Sequence, residues 1–238
     1  MTRPGRRVLA IAALAVTFTA LAVLAAAAPS PSTAKPGSIF VPEKGSFRIL
    51  VNGQQMGKEE FEIAPSGGDW IAQGISEIQA PDGVTHISGT LELRADGSPV
   101  RYEWATRGAK KASATIAFSG LTATIDLTME GAKPYTQQFT FPAPPIAILD
   151  NNLYYQYAVL ARLYDREKKG AQTFSVLVPQ ELTPGSVTVE SLGRQDVAGK
   201  KLEELTVKTE DLEVDLFLDG ARLVRIVAPG TNAEILRD

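Results

Sequence analysis

The residue types that could do chemistry are few. His86 is the single histidine and there is no cysteine. No site can therefore draw on two imidazoles or on a thiolate, which removes Cys-ligated zinc and iron–sulfur centres, thiol nucleophiles and disulfides together. His86 falls on the polar register of an alternating segment. It could serve there as a base or a metal ligand, but with no Ser–Asp motif beside it the residue reads as a solvated strand histidine. Carboxylates are the plentiful catalytic groups. Glu59-Glu60, Glu203-Glu204 and the alternating Asp211, Glu213 and Asp215 have the chemistry for glycoside hydrolysis or for a hard cation. Adjacent acids on a strand point to opposite faces, however. The alternating three share a face opposite Leu212, Val214, Leu216 and Leu218, so a solvated face accounts for them. The segments Gly53-Gln54-Gln55-Met56-Gly57 and Ser66-Gly67-Gly68 are turns rather than phosphate cradles, since neither leads from a strand into a helix. No Gly-x-Ser-x-Gly elbow occurs. Nothing in these patterns asks for a cofactor or a metal.

The most unusual local feature is aromatic. Tyr154, Tyr155, Tyr157 and Tyr164 recur with Leu153, Leu160 and Leu163 at helical spacing. Such a stripe reads as packing against a sheet. The functional alternative is that a helix apolar around most of its circumference needs two apolar surfaces, one from a curved sheet and one from a ligand or partner. Trp70, Tyr102 and Trp104 could line the same hollow, so Trp70, Tyr102, Trp104, Tyr154, Tyr157 and Tyr164 are the candidate ligand-binding residues.

The elements that would position them follow from periodicity. From Phe47 onward apolar and polar residues alternate, with turn chemistry every eight to twelve residues or so, the mark of a meander of antiparallel strands with one buried face. Phe47, Ile49 and Val51 share a face before Asn52-Gly53, a hairpin dipeptide. Leu121, Ala123, Ile125, Leu127 and Met129 oppose Thr122, Thr124, Asp126, Thr128 and Glu130. The period changes at Asp150, which reads as the N-cap of one main helix ending near Lys168-Lys169-Gly170. Strands resume from Thr173, with Asp219-Gly220 a further hairpin turn. The expected fold is mainly β, a long antiparallel meander forming a curved sheet or partly open barrel with one main helix.

Ahead of this domain, Arg3, Arg6 and Arg7 precede an apolar or small-residue run from Val8 to Ala28. That order is the signature of an export signal, or of an anchor long enough to span a bilayer. Small residues around Ala25-Ala26-Ala27 and Ser32-Thr33-Ala34 favour cleavage over a retained anchor. The domain reading is thus residues 1–28 as signal peptide or transmembrane anchor, 29–45 as a Pro/Ser-rich linker, and 46–238 as a single β-rich domain with a seam at 142–149. Removing residues 1–28 takes away three basic residues and no acid, leaving 21 basic against 27 acidic residues, a net charge of −6. The remaining basic residues are scattered, which speaks against a nucleic-acid partner.

One resemblance rests on the order of elements. The turn Val51-Asn52-Gly53-Gln54-Gln55-Met56-Gly57, the Pro-containing approach to Asp150-Asn151-Asn152-Leu153-Tyr154-Tyr155, then Val197-Ala198-Gly199-Lys200 and Leu223-Val224-Arg225-Ile226, resemble uncharacterised bacterial exported proteins of domain-of-unknown-function family thirty-one-zero-eight. The resemblance covers nearly all of Ser46 to Asp238 and implies an exported, strongly twisted β-sheet or partly open barrel, with no activity to carry over.

Together these features favour a non-enzymatic exported protein of the periplasm or cell envelope. Its partner would be an apolar small molecule, such as a lipid, held in a curved sheet. The alternative is a membrane-anchored structural or assembly module that binds another envelope protein, and a distant third is a carboxylate-dependent glycan hydrolase.

Overall fold

The computed structural model describes residues 37–238 apart from 82, 109 and 110. The expected signal or anchor and most of the linker lie outside the described residues. One sheet holds every strand: β1 (Glu43–Val51), β2 (Gln54–Ser66), β3 (Asp69–Ala80), β4 (Gly83–Leu93), β5 (Pro99–Arg107), β6 (Ala112–Ser119), β7 (Thr122–Met129), β8 (Tyr135–Thr140), β9 (Ile146–Ile148), β10 (Gln172–Val178), β11 (Thr183–Val197), β12 (Lys200–Lys208), β13 (Glu213–Asp219), β14 (Arg222–Ala228) and β15 (Ala233–Arg237). The helix α1 (Tyr155–Leu163) stands between β9 and β10. The mainly β fold with a curved antiparallel sheet and one main helix is therefore as the alternation implies.

The path of the chain is simple. It enters mid-sheet as β1, meanders outward to β8, crosses to the opposite edge as β9, and meanders back until β15 pairs with β1. Among the described strands only β9 and β10 pair in parallel. That crossing forces the sheet to roll. Fifteen flat strands would set their edges nearly ~70 Å apart at the usual strand spacing. The stretch from Thr140 to Ile146, which carries Pro142, Pro144 and Pro145, reaches at most about 20 Å. The two edges must come near each other, and the inward faces of both halves merge in one core.

The helix fills the roll. It packs against β3, β9 and β14, strands far apart in the sheet order. Tyr155, Gln156, Ala158, Val159, Leu160, Ala161 and Arg162 are all buried, which leaves α1 no solvated stripe. Its bounds differ from the expectation. The N-cap is Tyr154, with no side-chain cap of its own, and the helix stops at Leu163 because Tyr164 is extended. The Tyr164 hydroxyl then donates to the Gly170 carbonyl at 2.9 Å, tying down the segment that the basic run had placed in the helix.

Two glycines let the helix approach the wall. Gly74 on β3 and Gly89 on β4 are register partners and face inward. A Cβ at Gly74 would lie 2.5 Å from Tyr155 Cδ1 and 2.6 Å from a Glu59 carboxyl oxygen, and one at Gly89 would lie 2.7 Å from the Tyr102 hydroxyl. Their missing side chains form the dent that receives the Tyr155 ring. Elsewhere the wall is large and apolar: Trp70 packs on Phe40 with centroids 5.5 Å apart, and Phe47 stacks on Phe61 at 4.9 Å. Phe40 and Glu43, inside the stretch expected to be linker, are buried against the sheet domain.

Gly74→Ala is expected to destabilise the protein by about 1–3 kcal/mol through overpacking. Gly230→Ala, which meets nothing within 4 Å, leaves the melting temperature unchanged. Thermal melts of the two variants check this, and an unchanged melt for Gly74→Ala would remove the dent from the account.

Candidate functional site

The helix start is held by polar groups from distant strands. Glu59 on β2 is fully buried, and its two oxygens accept the backbone N–H groups of Tyr154 at 2.8 Å and Tyr155 at 3.2 Å. It does the capping that the Asp150 reading assigned locally. Burial pushes its carboxyl up to about 8, against the pull of those two amides. Glu60, its neighbour, faces outward, as the alternation requires.

Asp150 acts beside the cap rather than as one. Its oxygens accept the Tyr102 hydroxyl at 2.7 Å and the Gln180 backbone N–H at 2.8 Å. Burial, the largest influence, raises it to about 6. Gln156 completes the cluster by donating to the Tyr102 hydroxyl at 3.0 Å and accepting from the Asp150 backbone N–H. Ser76 on β3 donates to the Asn152 carbonyl at 2.5 Å. Both buried carboxyl groups are thus engaged in positioning the chain, so neither is a free acid facing a substrate. Near the other end of α1, Glu43 accepts from Arg162 and Arg237, a triad with side chains at most 5% exposed. Arg237 also lies 5.0 Å from the Phe61 ring centroid.

Beside this cluster an unfilled part of the interior opens as a cleft of about 580 Å³. Val176 and Val178 of β10, Val187 of β11, Val207 of β12 and Val214 of β13 line its wall, and Leu149 and Tyr157 line it from the helix side. Gly185, the register partner of Val176, also faces it. The loops between β10 and β11 and between β12 and β13 contribute Glu181, Glu210, Asp211 and Leu212. A volume of this order, with a valine wall on one side and polar groups around the rest, can hold a small molecule.

The six candidate aromatics do not gather around this cleft. Tyr157 lines it. Tyr102 is fully buried in the polar cluster, and Trp70 is sealed against Phe40. Trp104, buried opposite Gly89, leaves its indole N–H without a partner. Tyr154 donates weakly to Asn152, and Tyr164 is buried at the far end of the helix. His86 is half exposed, 3.7 Å from Glu77. Asp211 and Leu212 depart from the strand reading, because β13 starts at Glu213 and both residues sit in the preceding loop, whose Thr209 hydroxyl accepts the Asp211 and Leu212 N–H groups. The site residues that the sequence did not single out are the inward valines of β10–β13, and Glu59, named there only as one of a pair of acids, turns out to cap the helix. The signal for Glu59 was its register, because Glu59, Phe61 and Ile63 share one face. Among the described residues no group of three or more His, Cys, Asp or Glu is arranged to hold a metal ion, and no helix is long and apolar enough to cross a membrane.

Comparison with solved structures supports the architecture. A β-barrel-like protein of domain of unknown function DUF1849 from Brucella abortus is similar, with a TM-score of 0.56 at 10% identity over 83% of this chain and 95% of that one. A DUF1089 family protein from Pseudomonas aeruginosa aligns at a TM-score of 0.39 and 10% identity over 85% of this chain and 95% of that one. The first likeness shows a shared β-barrel-like fold. No family model matches the chain, and no curated protein matches it.

The buried carboxyls set a pH dependence of stability. A Glu59 raised to about 8 holds its proton in the folded state well above the pH at which an unfolded glutamate releases it. Its contribution is therefore fully present below about pH 4.5 and is lost as the pH rises through 8, while Asp150 acts the same way between about 4 and 6. Denaturant unfolding is expected to show stability falling by roughly 1 kcal/mol per pH unit between pH 6 and 8. Glu59→Gln is expected to flatten that window, and an equally steep fall in the variant would assign the slope elsewhere.

Proposed function

We propose that the protein is a non-enzymatic binding module of the cell envelope that takes an apolar chain into the cleft between α1 and β10–β13. The observation that carries this reading is the valine-lined cleft itself, a part of the interior that the helix leaves open. The aromatic side of the roll is filled by the chain's own helix. The ligand therefore belongs on the valine side, with Tyr157 the residue of the aromatic set that meets it. Slender β-branched walls suit an aliphatic chain, and each methylene buried there contributes about 0.8 kcal/mol. Engagement of Glu59 and Asp150 in backbone and phenol contacts supports binding over hydrolysis. Export to the envelope, with a cleaved signal, is supported by the Arg3, Arg6, Arg7 and Val8–Ala28 order, and kinship with family thirty-one-zero-eight is part of the same reading.

A second reading has its own observation. β8 is a sheet edge, mostly exposed, and carries no charged residue and no proline across Tyr135–Thr140. Such an edge is unprotected and suited to pairing with a strand of another envelope protein.

Gly185→Trp separates the two. The position faces the cleft, and a Cβ there meets nothing within 4 Å, so a large side chain can enter without disturbing the wall. Titration with the apolar fluorophore N-phenyl-1-naphthylamine is expected to show saturable binding to the wild type and at least about tenfold weaker binding to Gly185→Trp at an unchanged melting temperature. Equal binding by the folded variant, or none by the wild type, overturns the cleft reading.

A further inference from the structure

The cleft is apolar along its wall and one-signed at its border. Glu181 stands in the loop joining β10 to β11, and Glu210 and Asp211 stand in the loop joining β12 to β13. No lysine or arginine lines the cleft. Lys208, the cation closest in sequence, is paired with Glu213 at 3.2 Å. The carboxylates of Glu210 and Asp211 have no salt bridge or hydrogen bond among the described residues, and the Glu181 carboxylate accepts only from Asn151 Nδ2, at 2.7 Å. The loops hold these acids in place: the Thr209 N–H donates to the Leu212 carbonyl at 2.8 Å, and Asp150 fixes the Gln180 N–H at 2.8 Å. Tyr157 adds a hydroxyl on the helix side that likewise has no hydrogen-bond partner among the described residues. These carboxylates do not form a metal-binding group.

Resting on the cleft reading of the previous subsection, we propose that the preferred ligand is a cationic amphiphile, an aliphatic chain ending in an ammonium group. The chain lies against Val176, Val187, Val207 and Val214, and the head group sits among Glu181, Glu210 and Asp211. Charge complementarity selects the head group. An apolar wall without cations accepts any aliphatic chain, but three uncompensated carboxylates at its border make an anionic head group unfavourable and a cationic one favourable. A fatty acid would add a further negative charge to this border, which Asp150 also lines, and a neutral alcohol would leave it unbalanced. Discrimination exercised at an exposed rim is screened by salt.

The test compares three probes that share one chain, dodecylammonium, dodecanol and dodecanoate, below their aggregation concentrations, by calorimetric titration of the full exported protein. Wild type is expected to bind dodecylammonium at least tenfold more tightly than dodecanoate at low salt, with dodecanol between, and the ratio is expected to shrink in 0.5 M salt. Glu210→Gln combined with Asp211→Asn changes two exposed side chains without partners. This pair is expected to bring the ratio down at least threefold while leaving dodecanol affinity unchanged, and adding Glu181→Gln is expected to abolish it. Gly185→Trp is expected to weaken all three probes alike. Should dodecanol bind and respond to Gly185→Trp while head-group charge makes no difference, the cationic preference is wrong and the cleft stands. Should no aliphatic probe bind, or all bind regardless of Gly185→Trp, the cleft reading falls and takes the preference with it.

Discussion

A single sheet that rolls on itself has an inward face and only one other element with which to cover it. In this protein that element is a helix of nine residues, and its hold on the wall depends on a carboxyl that arrives from another part of the chain. A helix so short gains little from its own hydrogen bonding. Glu59 satisfies two of the amides that a helix start leaves bare, while Gly74 and Gly89 let Tyr155 sink into the sheet. Seen this way, the polar cluster is the fixing that decides how deep the helix sits, and therefore which part of the interior it fills.

The two halves of the roll answer this demand differently. In the half built from β1 to β8 the inward residues include the rings of Phe47, Phe61, Trp70, Tyr102 and Trp104, with glycines where the helix comes closest. In the returning half the inward residues of β10–β13 include repeated valines, which project little. A helix held near β3 by its tyrosine cannot also fill the space before those short side chains. The cleft is the remainder, a consequence of unequal side-chain reach across one core rather than of any single gap.

Much of the sheet could be read from the residues. Alternation located the strands because each has one wet and one dry face, and turn chemistry marked the hairpins: Asn52 and Gly53 adopt φ of 51° and 74°, the positive values such a turn demands. Where both faces are covered the signal vanishes, so β9, buried at all three positions, had no period-two pattern to show. The helix was legible as a segment but not in its limits, because its cap comes from Glu59, far away in the chain, and its end is set by Tyr164 reaching Gly170. The site was less legible still. A buried glutamate in a Glu-Glu pair has the same letters as a solvated one, and only its register with Phe61 and Ile63 distinguishes it. Asp211 and Leu212 continued the alternation of β13 yet lie in its preceding loop, since a periodic string does not record where pairing ends.

The pairing of the first strand with the last carries a consequence for how the chain reaches this state. Phe47 lies opposite Arg237 and Val51 opposite Ala233, so the two halves are joined along a seam whose partners are about as far apart in sequence as the described residues permit. Contacts of that range form late, because the loop between them has to be closed first. A chain emerging amino terminus first exposes one side of β1 until β15 has been delivered, and the buried pairing of Arg237 with Glu43 cannot form before that strand arrives. Completion of the roll is thus timed by β15. Loss of β15 would leave a free edge in the middle of the sheet, the kind of edge on which unfinished chains associate.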